Sequence, residues 1–400
     1  MVTPDFEDVW RGAAPYGLAA LLRRHDNFAD CEDAVQLALV AAAEQWPRDG
    51  LPDEPIGWLT TVASRRLIDQ IRADTSRRAR EQKAARLEQT APETVEPVAD
   101  DDTLQLMILC THPVLTPTSQ VALMLRAVGG LHTREIADGF FVPEATMGQR
   151  ISRAKSSLGR ANARFERPAP ADLPGRLVAV RHAIALLYTR AHAAQDGTDE
   201  RATTLGATAI RLARDLHRLA PSDPENAGLL ALLLLTEARR KARFTASGDL
   251  VPLDEQDRTL WDRTLITEGV DLIERALPAG YVGLFQLQAA IAAVHDEAGD
   301  DAATDWPQIR VLYDMLWQVD PSPAVALGRA IAIAEVDGPD AGLDALDGVA
   351  GAGHRVDAAR GHLLVRAGRT TEARAAFLRA AERSRSIPEQ RYLNRLASDL

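Results

Sequence analysis

Two side-chain patterns in this 400-residue chain could do chemistry, and the first is nucleic-acid recognition. The segment His132 to Lys155 reads HTREIADGFFVPEATMGQRISRAK. Thr133 is placed to cap a short helix through Ile136 and Ala137, Gly139 to Val142 form a turn, and Pro143 opens a second helix where its missing N–H costs nothing. Glu144, Ala145, Thr146, Met147, Gln149 and Arg150 begin that helix, with Arg153, Lys155, Arg160 and Arg164 further along. Small and polar groups at a helix N-terminus suit base edges, and cations beyond them suit phosphates. The competing reading is an ordinary helical hairpin with a solvated basic face.

The second pattern is acid–base. Asp249, Asp254, Glu255, Asp257, Arg258, Trp261, Asp262 and Arg263 cluster between residues 249 and 263, and Asp305-Trp306 follows later. Carboxylates in that number could exchange protons with a substrate. Acids and bases at helical spacing more often form ion pairs that fix packing. The chain also has no Gly-rich phosphate loop, no histidine pair at metal spacing and no activated Ser or Cys motif. We therefore expect no catalytic residue, no metal and no cofactor.

The elements that position these groups are helical. Apolar residues recur every three or four positions almost throughout and strand-like alternation is nearly absent, which predicts an all-α fold. Phe6 to Trp46 makes two or three helices. The last carries Asp30, Cys31, Glu32, Asp33 and Gln36 ahead of an apolar stripe of Leu37, Leu39 and Val40, with Asp30 as its N-cap. A stiff loop, PRDGLPDEPIG, leads to a helix from Trp58 to Arg72 that buries Leu59, Val62, Ala63 and Ile68 and leaves Arg65, Arg66, Asp69 and Arg72 elsewhere on its surface. Arg77, Arg78, Arg80, Lys83 and Arg86 then give way to acids through Asp102, the pattern of a flexible linker. Two helices broken at His112-Pro113 follow, and Pro168, Pro170 and Pro174 mark a domain boundary.

From Leu177 onward, Ala- and Leu-rich helices are punctuated by prolines. Gly361, Gly368, Ala373, Phe377 and Ala380 have the spacing of a tetratricopeptide helical hairpin, so this half is expected to stack helix pairs. The domains so bounded are 1–76, a linker at 77–100, 101–167 and 168–400. The net charge of -11 argues against a general nucleic-acid coat, so charge asymmetry between segments matters more than the total. Cys31 and Cys110 lie far apart and form neither a disulfide framework nor a thiolate zinc site. The start MVTPDFEDVW lacks a signal-peptide pattern, and the longest apolar run, Ala227 to Leu235, is too short to span a bilayer. The expectation is a soluble cytoplasmic protein with no membrane partner.

Taken together, the chain resembles a bacterial extracytoplasmic-function (ECF) sigma factor of the subfamily with a C-terminal tetratricopeptide-like extension. DCEDAVQLALVAAAEQWPRDGLPDEPIGWLTTVASRRLIDQIR is similar to sigma region 2. DDTLQLMILCTHPVLTPTSQVALMLRAVGGLHTREIADGFFVPEATMGQRISRAK is similar to region 4. GDLVPLDEQDRTLWDR, FQLQAAIAAVH, TDWPQI and LYDMLWQVDPSPAVALGRAIAIAEVDGPDAGL mark the extension.

The resemblance implies two partners, core RNA polymerase and promoter DNA. Asp30, Glu32, Asp33 and Gln36 would dock on the polymerase clamp helices. Trp58, Arg65, Arg66, Asp69 and Arg72 would read the −10 element. Arg134, Glu144, Thr146, Met147, Gln149, Arg150, Arg153 and Lys155 would engage the −35 element. The extension would modulate activity by packing on the sigma domains or binding a separate regulatory protein. The chain departs from the family at YTRAHAA (Tyr188 to Ala194), where an Asn-Glu-Gly-Tyr segment is usual, and at Ser64-Arg65, where many members have Asn-Arg. Two alternatives stay open: a DNA-binding repressor with a tetratricopeptide-like interaction domain, and an enzyme using the acidic cluster at 249–263.

Overall fold

The computed structural model describes residues 6–25, 27–81, 103–140, 142–161, 163, 168–192 and 200–400. Among the described residues the regular structure is helical, with one isolated antiparallel bridge between Phe244 and Leu250. No helix among them is long and apolar enough to cross a membrane. The chain divides into two compact units, Met1–Arg190 and Ala191–Leu400.

In the first unit, α1 (Phe6–Leu22), α2 (Phe28–Asp49) and α3 (Pro55–Glu81) pack as a three-helix bundle. At its centre Trp46 is buried, with the Trp10 ring 6.4 Å and the Trp58 ring 5.5 Å from it. Three details differ from the sequence reading. The cap of α2 is Asn27, whose Oδ1 accepts from the Ala29 and Asp30 amides; Asp30 sits one turn in and accepts from the Asn27 side-chain amide at 2.6 Å. α2 continues through Pro47 to a Gly50 C-cap at φ +89, so the expected loop shrinks to residues 50–54. α3 runs on to Glu81, which makes the first residues of the expected linker helical; residues 82–102 lie outside the described residues.

Next come α4 (Thr103–Leu109), α5 (Pro117–Ala127), α6 (Thr133–Gly139) and α7 (Glu144–Arg160). Thr116 caps α5 with Pro117 in its first turn, and the break at His112-Pro113 falls as expected. α7 packs on α5, α6 and α2, and α4 packs on α1. The last helix of this unit, α8 (Leu173–His192), takes up Pro174 in its first turn rather than starting a separate unit there.

The second unit stacks its helices largely in chain order, except that α12 packs on α10 more than on either of its sequence neighbours. They are α9 (Glu200–Leu219), α10 (Pro224–Ala238), α11 (Arg263–Ala276), α12 (Leu284–Glu297), α13 (Trp306–Val319), α14 (Pro323–Asp337), α15 (Pro339–Asp347), α16 (His354–Arg366), α17 (Thr370–Arg383) and α18 (Ile387–Ser398). Close packing depends on small residues: a methyl at Gly361 would lie 2.5 Å from the buried Phe377 ring, and Gly368 turns between α16 and α17 at φ +74. Ala373 and Ala380 are buried on the same hairpin, as their spacing predicts.

Much of the acidic cluster ends up capping helices. Asp257 accepts from Thr259, Asp262 from the Thr264 and Leu265 amides, and Asp305 from the Gln308 amide. Arg258 donates to the carbonyls of His295 and Ala298 and stacks on Trp261. These groups hold the chain between α10 and α11 and the start of α13, a structural use that leaves little for proton exchange.

Asp296 is fully buried, with Arg239 Nε 3.4 Å away. Burial pushes its carboxyl up to about 6 against the opposing pull of Arg239, Arg258 and Arg263. The folded chain therefore holds a proton between pH 4 and 6 that the unfolded chain releases, and stability from this group falls as pH rises through that window. His295 works the other way: burial, Arg239 and Arg258 push it down to about 4, so stability from it rises with pH between 4 and 6.5. In thermal or urea unfolding across pH 4 to 8, Asp296→Asn should remove a falling component of up to about 3 kcal/mol. A wild-type-minus-variant difference that stays flat from pH 4 to 6 contradicts this.

Candidate nucleic-acid interface

α6 ends at Gly139 and α7 begins at Glu144. α6 starts after His132, whose amide donates to Glu135 Oε2 at 2.7 Å, so the glutamate rather than Thr133 secures the helix start. In α7, Met147, Ile151, Ala154 and Leu158 are buried at steps of four, three and four. That stripe turns Glu144, Ala145, Thr146, Gln149, Ser152, Arg153 and Ser156 outward, and Arg134 on α6 is exposed as well. Met147, with 0% exposure, is core and cannot touch a base, which corrects its place among the expected contacts. Ser152 was missed; its position three residues after Gln149 is the signal that finds it.

Two cations on α7 are held by neighbours. The Arg150 guanidinium lies 6.0 Å from the centroid of the Phe140 ring, a contact that orients it across the turn. Lys155 pairs with Glu32 of α2, and Arg126 of α5 approaches the same carboxylate at 4.0 Å. Glu32 is 4% exposed, so the residue expected to face the polymerase instead lies inside the seam between α2 and α7. Cys110, also buried, has its thiol pushed far up by burial and by Glu32.

Another face of α2 points outward. Asp33 and Gln36 are exposed, and so are Leu37 at 49% and Val40 at 57%. The last two belong to the apolar stripe read from the sequence, and they complete an exposed face at steps of three, one and three from Asp33. Along α3, Thr61, Arg65, Asp69 and Arg72 share an exposed stripe with the half-buried Trp58, and Arg66 is exposed beside it. Thr61 was not singled out from the sequence, although it falls three residues after Trp58 and four before Arg65. Among the described residues, no group of three or more His, Cys, Asp or Glu could hold a metal ion.

Comparison with known proteins gives these faces a context. Residues 16–77, covering most of the α1–α3 bundle, match the family model Sigma-70 region 2, and residues 176–277 match DUF6596, a family of unknown function. The chain is 39% identical over 393 residues to Uncharacterized protein R00370 of Rhizobium meliloti (strain 1021), a match covering 95% of this chain and 92% of that one. It is 30% identical over 176 residues to the ECF RNA polymerase sigma factor SigJ of Mycobacterium tuberculosis, covering 40% of this chain and 54% of that protein. The chain belongs to the ECF sigma factors with a C-terminal helical extension. This is a family of sigma factors and not of enzymes.

The sigma factor also matches the crystal structure of a thermophilic tetratricopeptide repeat protein from Thermus thermophilus, with 16% identity and a TM-score of 0.35, over 51% of this chain and 96% of that one. In the sigma factor, the region 2 match ends at residue 77, inside α3. The DUF6596 match begins at residue 176, inside α8.

Proposed function

We propose that this sigma factor binds core RNA polymerase and directs it to promoters carrying two unlike boxes, with the α3 stripe reading the −10 element and the α7 face reading the −35 element. The observation that carries the reading is the pair of exposed polar and basic helix faces, one on the helix that ends the region 2 match and one on a helix entered through a tight turn. Supporting it, the exposed Asp33, Gln36, Leu37 and Val40 face of α2 combines apolar and polar contacts suited to a helical protein partner. A helix with short polar side chains at its start and arginine beyond has the form that enters a major groove. The protein acts in the cytoplasm, where that polymerase and DNA are.

The extension modulates this activity. Of the acids the sequence singles out, Asp296 is buried, while Asp257, Asp262 and Asp305 cap helices and remain exposed. In vitro transcription with core polymerase over a genomic fragment library tests the reading. Specific transcripts that need the added protein are the expected result, and none from any fragment overturns it.

A further inference from the structure

The helix α8 has two allegiances. By sequence it opens the DUF6596 match at residues 176–277; by packing it belongs to the first compact unit, which runs to Arg190. Its buried residues Leu177, Val180, Arg181, Ile184, Leu187 and Tyr188 form one stripe along the helix.

Three points along it meet the segment between α4 and α6. Near its start, the Arg176 charge bears on His112 at the α4–α5 break and, after burial, helps hold that imidazole below its ordinary value. Near its end, Leu187 lies so close to Gly129 that a methyl there would be 2.7 Å from Leu187 Cδ1. Three residues on, Arg190 Nη2 is 3.8 Å from Glu135 Oε1. The other oxygen of Glu135 accepts from the His132 amide at the start of α6. One carboxylate thus ties α8 to the helix that sets the entry angle of α7.

We propose that α8, although part of the extension by sequence, is a structural helix of the −35 reading module, and that Leu187 and Arg190 are positioning residues for α6 and α7. This rests on the assignment of α7 as the −35 reader. The physical case is that α6 is only seven residues long and has little stability of its own, so its orientation depends on what packs around its two ends. Gly129 admits Leu187 at the connection before α6, and Arg190 holds the carboxylate that secures the first turn. A chain cut at the proline-rich segment near Pro170 loses both contacts, whereas one cut after α8 keeps them.

The test uses the full-length protein with Leu187→Ala, Arg190→Glu and Arg190→Lys. Amide hydrogen exchange is followed by mass spectrometry, and binding is measured on promoter fragments that the wild-type protein selects with core polymerase. Leu187→Ala is expected to speed exchange across residues 129–160 by tenfold or so while leaving α1–α3 and the second unit as in wild type. Arg190→Glu, a surface change that spares folding, is expected to weaken binding about two- to fivefold. That loss should vanish on fragments whose −35 box has been scrambled, and Arg190→Lys should restore wild-type binding.

Unchanged exchange at 129–160 in Leu187→Ala overturns the proposal, as does a loss in Arg190→Glu that is the same with the −35 box scrambled. If Leu187→Ala unfolds the whole unit, the Arg190 pair decides. If the wild-type protein selects no fragment at all, the sigma reading fails while the exchange experiment still decides whether α8 supports α6 and α7.

Discussion

Glu32→Lys should spring open the seam between α2 and α7. Glu32 is 4% exposed and faces two cations, Lys155 and Arg126, from two different helices. Removing one partner of a buried pair costs about 3–5 kcal/mol because the others are left without a counter-charge, and a third cation adds repulsion. A seam weakened by even 3 kcal/mol opens roughly a hundredfold more often. Two signals report it. The radius of gyration from small-angle scattering increases, and the buried thiols of Cys31 and Cys110, unreactive in the closed form, become open to an aromatic disulfide reagent. Lys155→Glu in the same chain should close the seam again by restoring one opposite pair. Thiols as slow in Glu32→Lys as in wild type would show that apolar packing alone holds α2 on α7.

The second large effect separates two kinds of residue on α7. Gln149→Ala and Arg153→Ala should each lose about 1–3 kcal/mol of promoter affinity with relaxed preference at one base pair if they reach base edges. A phosphate contact gives a different signature, a uniform weakening with a shallower salt dependence. Met147→Ala should behave as neither. Its side chain is fully buried, so the loss is about 2–5 kcal/mol of folding stability, seen in the melting curve of DNA-free protein. Competition binding against a panel of single-base promoter variants distinguishes the three outcomes. Wild-type affinity and selectivity in both Gln149→Ala and Arg153→Ala would place the reading face elsewhere.

Local chemistry was legible in the sequence where it is decided within one turn of chain. Pro143 after Gly139 marks the turn into α7, Thr116-Pro117 marks the start of α5, and Gly361 with Phe377 marks the hairpin of α16 and α17. The errors have physical causes. Met147 was read as a contact because its place at the helix start was weighed above its place in the Met147, Ile151, Ala154, Leu158 stripe. The apolar stripe of Leu37 and Val40 carried no sign of which way it faces, and on α2 the inward positions belong to Ala34, Val35, Ala38 and Ala42.

Other features depend on residues far apart in the chain. Nothing near Glu32 announces Lys155, more than a hundred positions away, and nothing near Leu187 announces Gly129. Pro168 and Pro170 stand before α8 and Pro174 lies in its first turn, but a break in the helices is not a packing boundary, and α8 stays with the first unit. The start of α2 shows a smaller form of the same limit: Asn27 and Asp30 are both good caps, and only the backbone tells which one stands outside the helix.

The most direct test of the central claim is a footprint on a promoter fragment with and without core polymerase. The purified protein alone should protect little; with core polymerase it should protect two unlike boxes, with the −35 protection lost in Arg153→Ala and the −10 protection lost in a variant carrying Arg65→Ala and Arg72→Ala. Protection of an inverted repeat by the protein alone, unchanged by adding core polymerase, would contradict it.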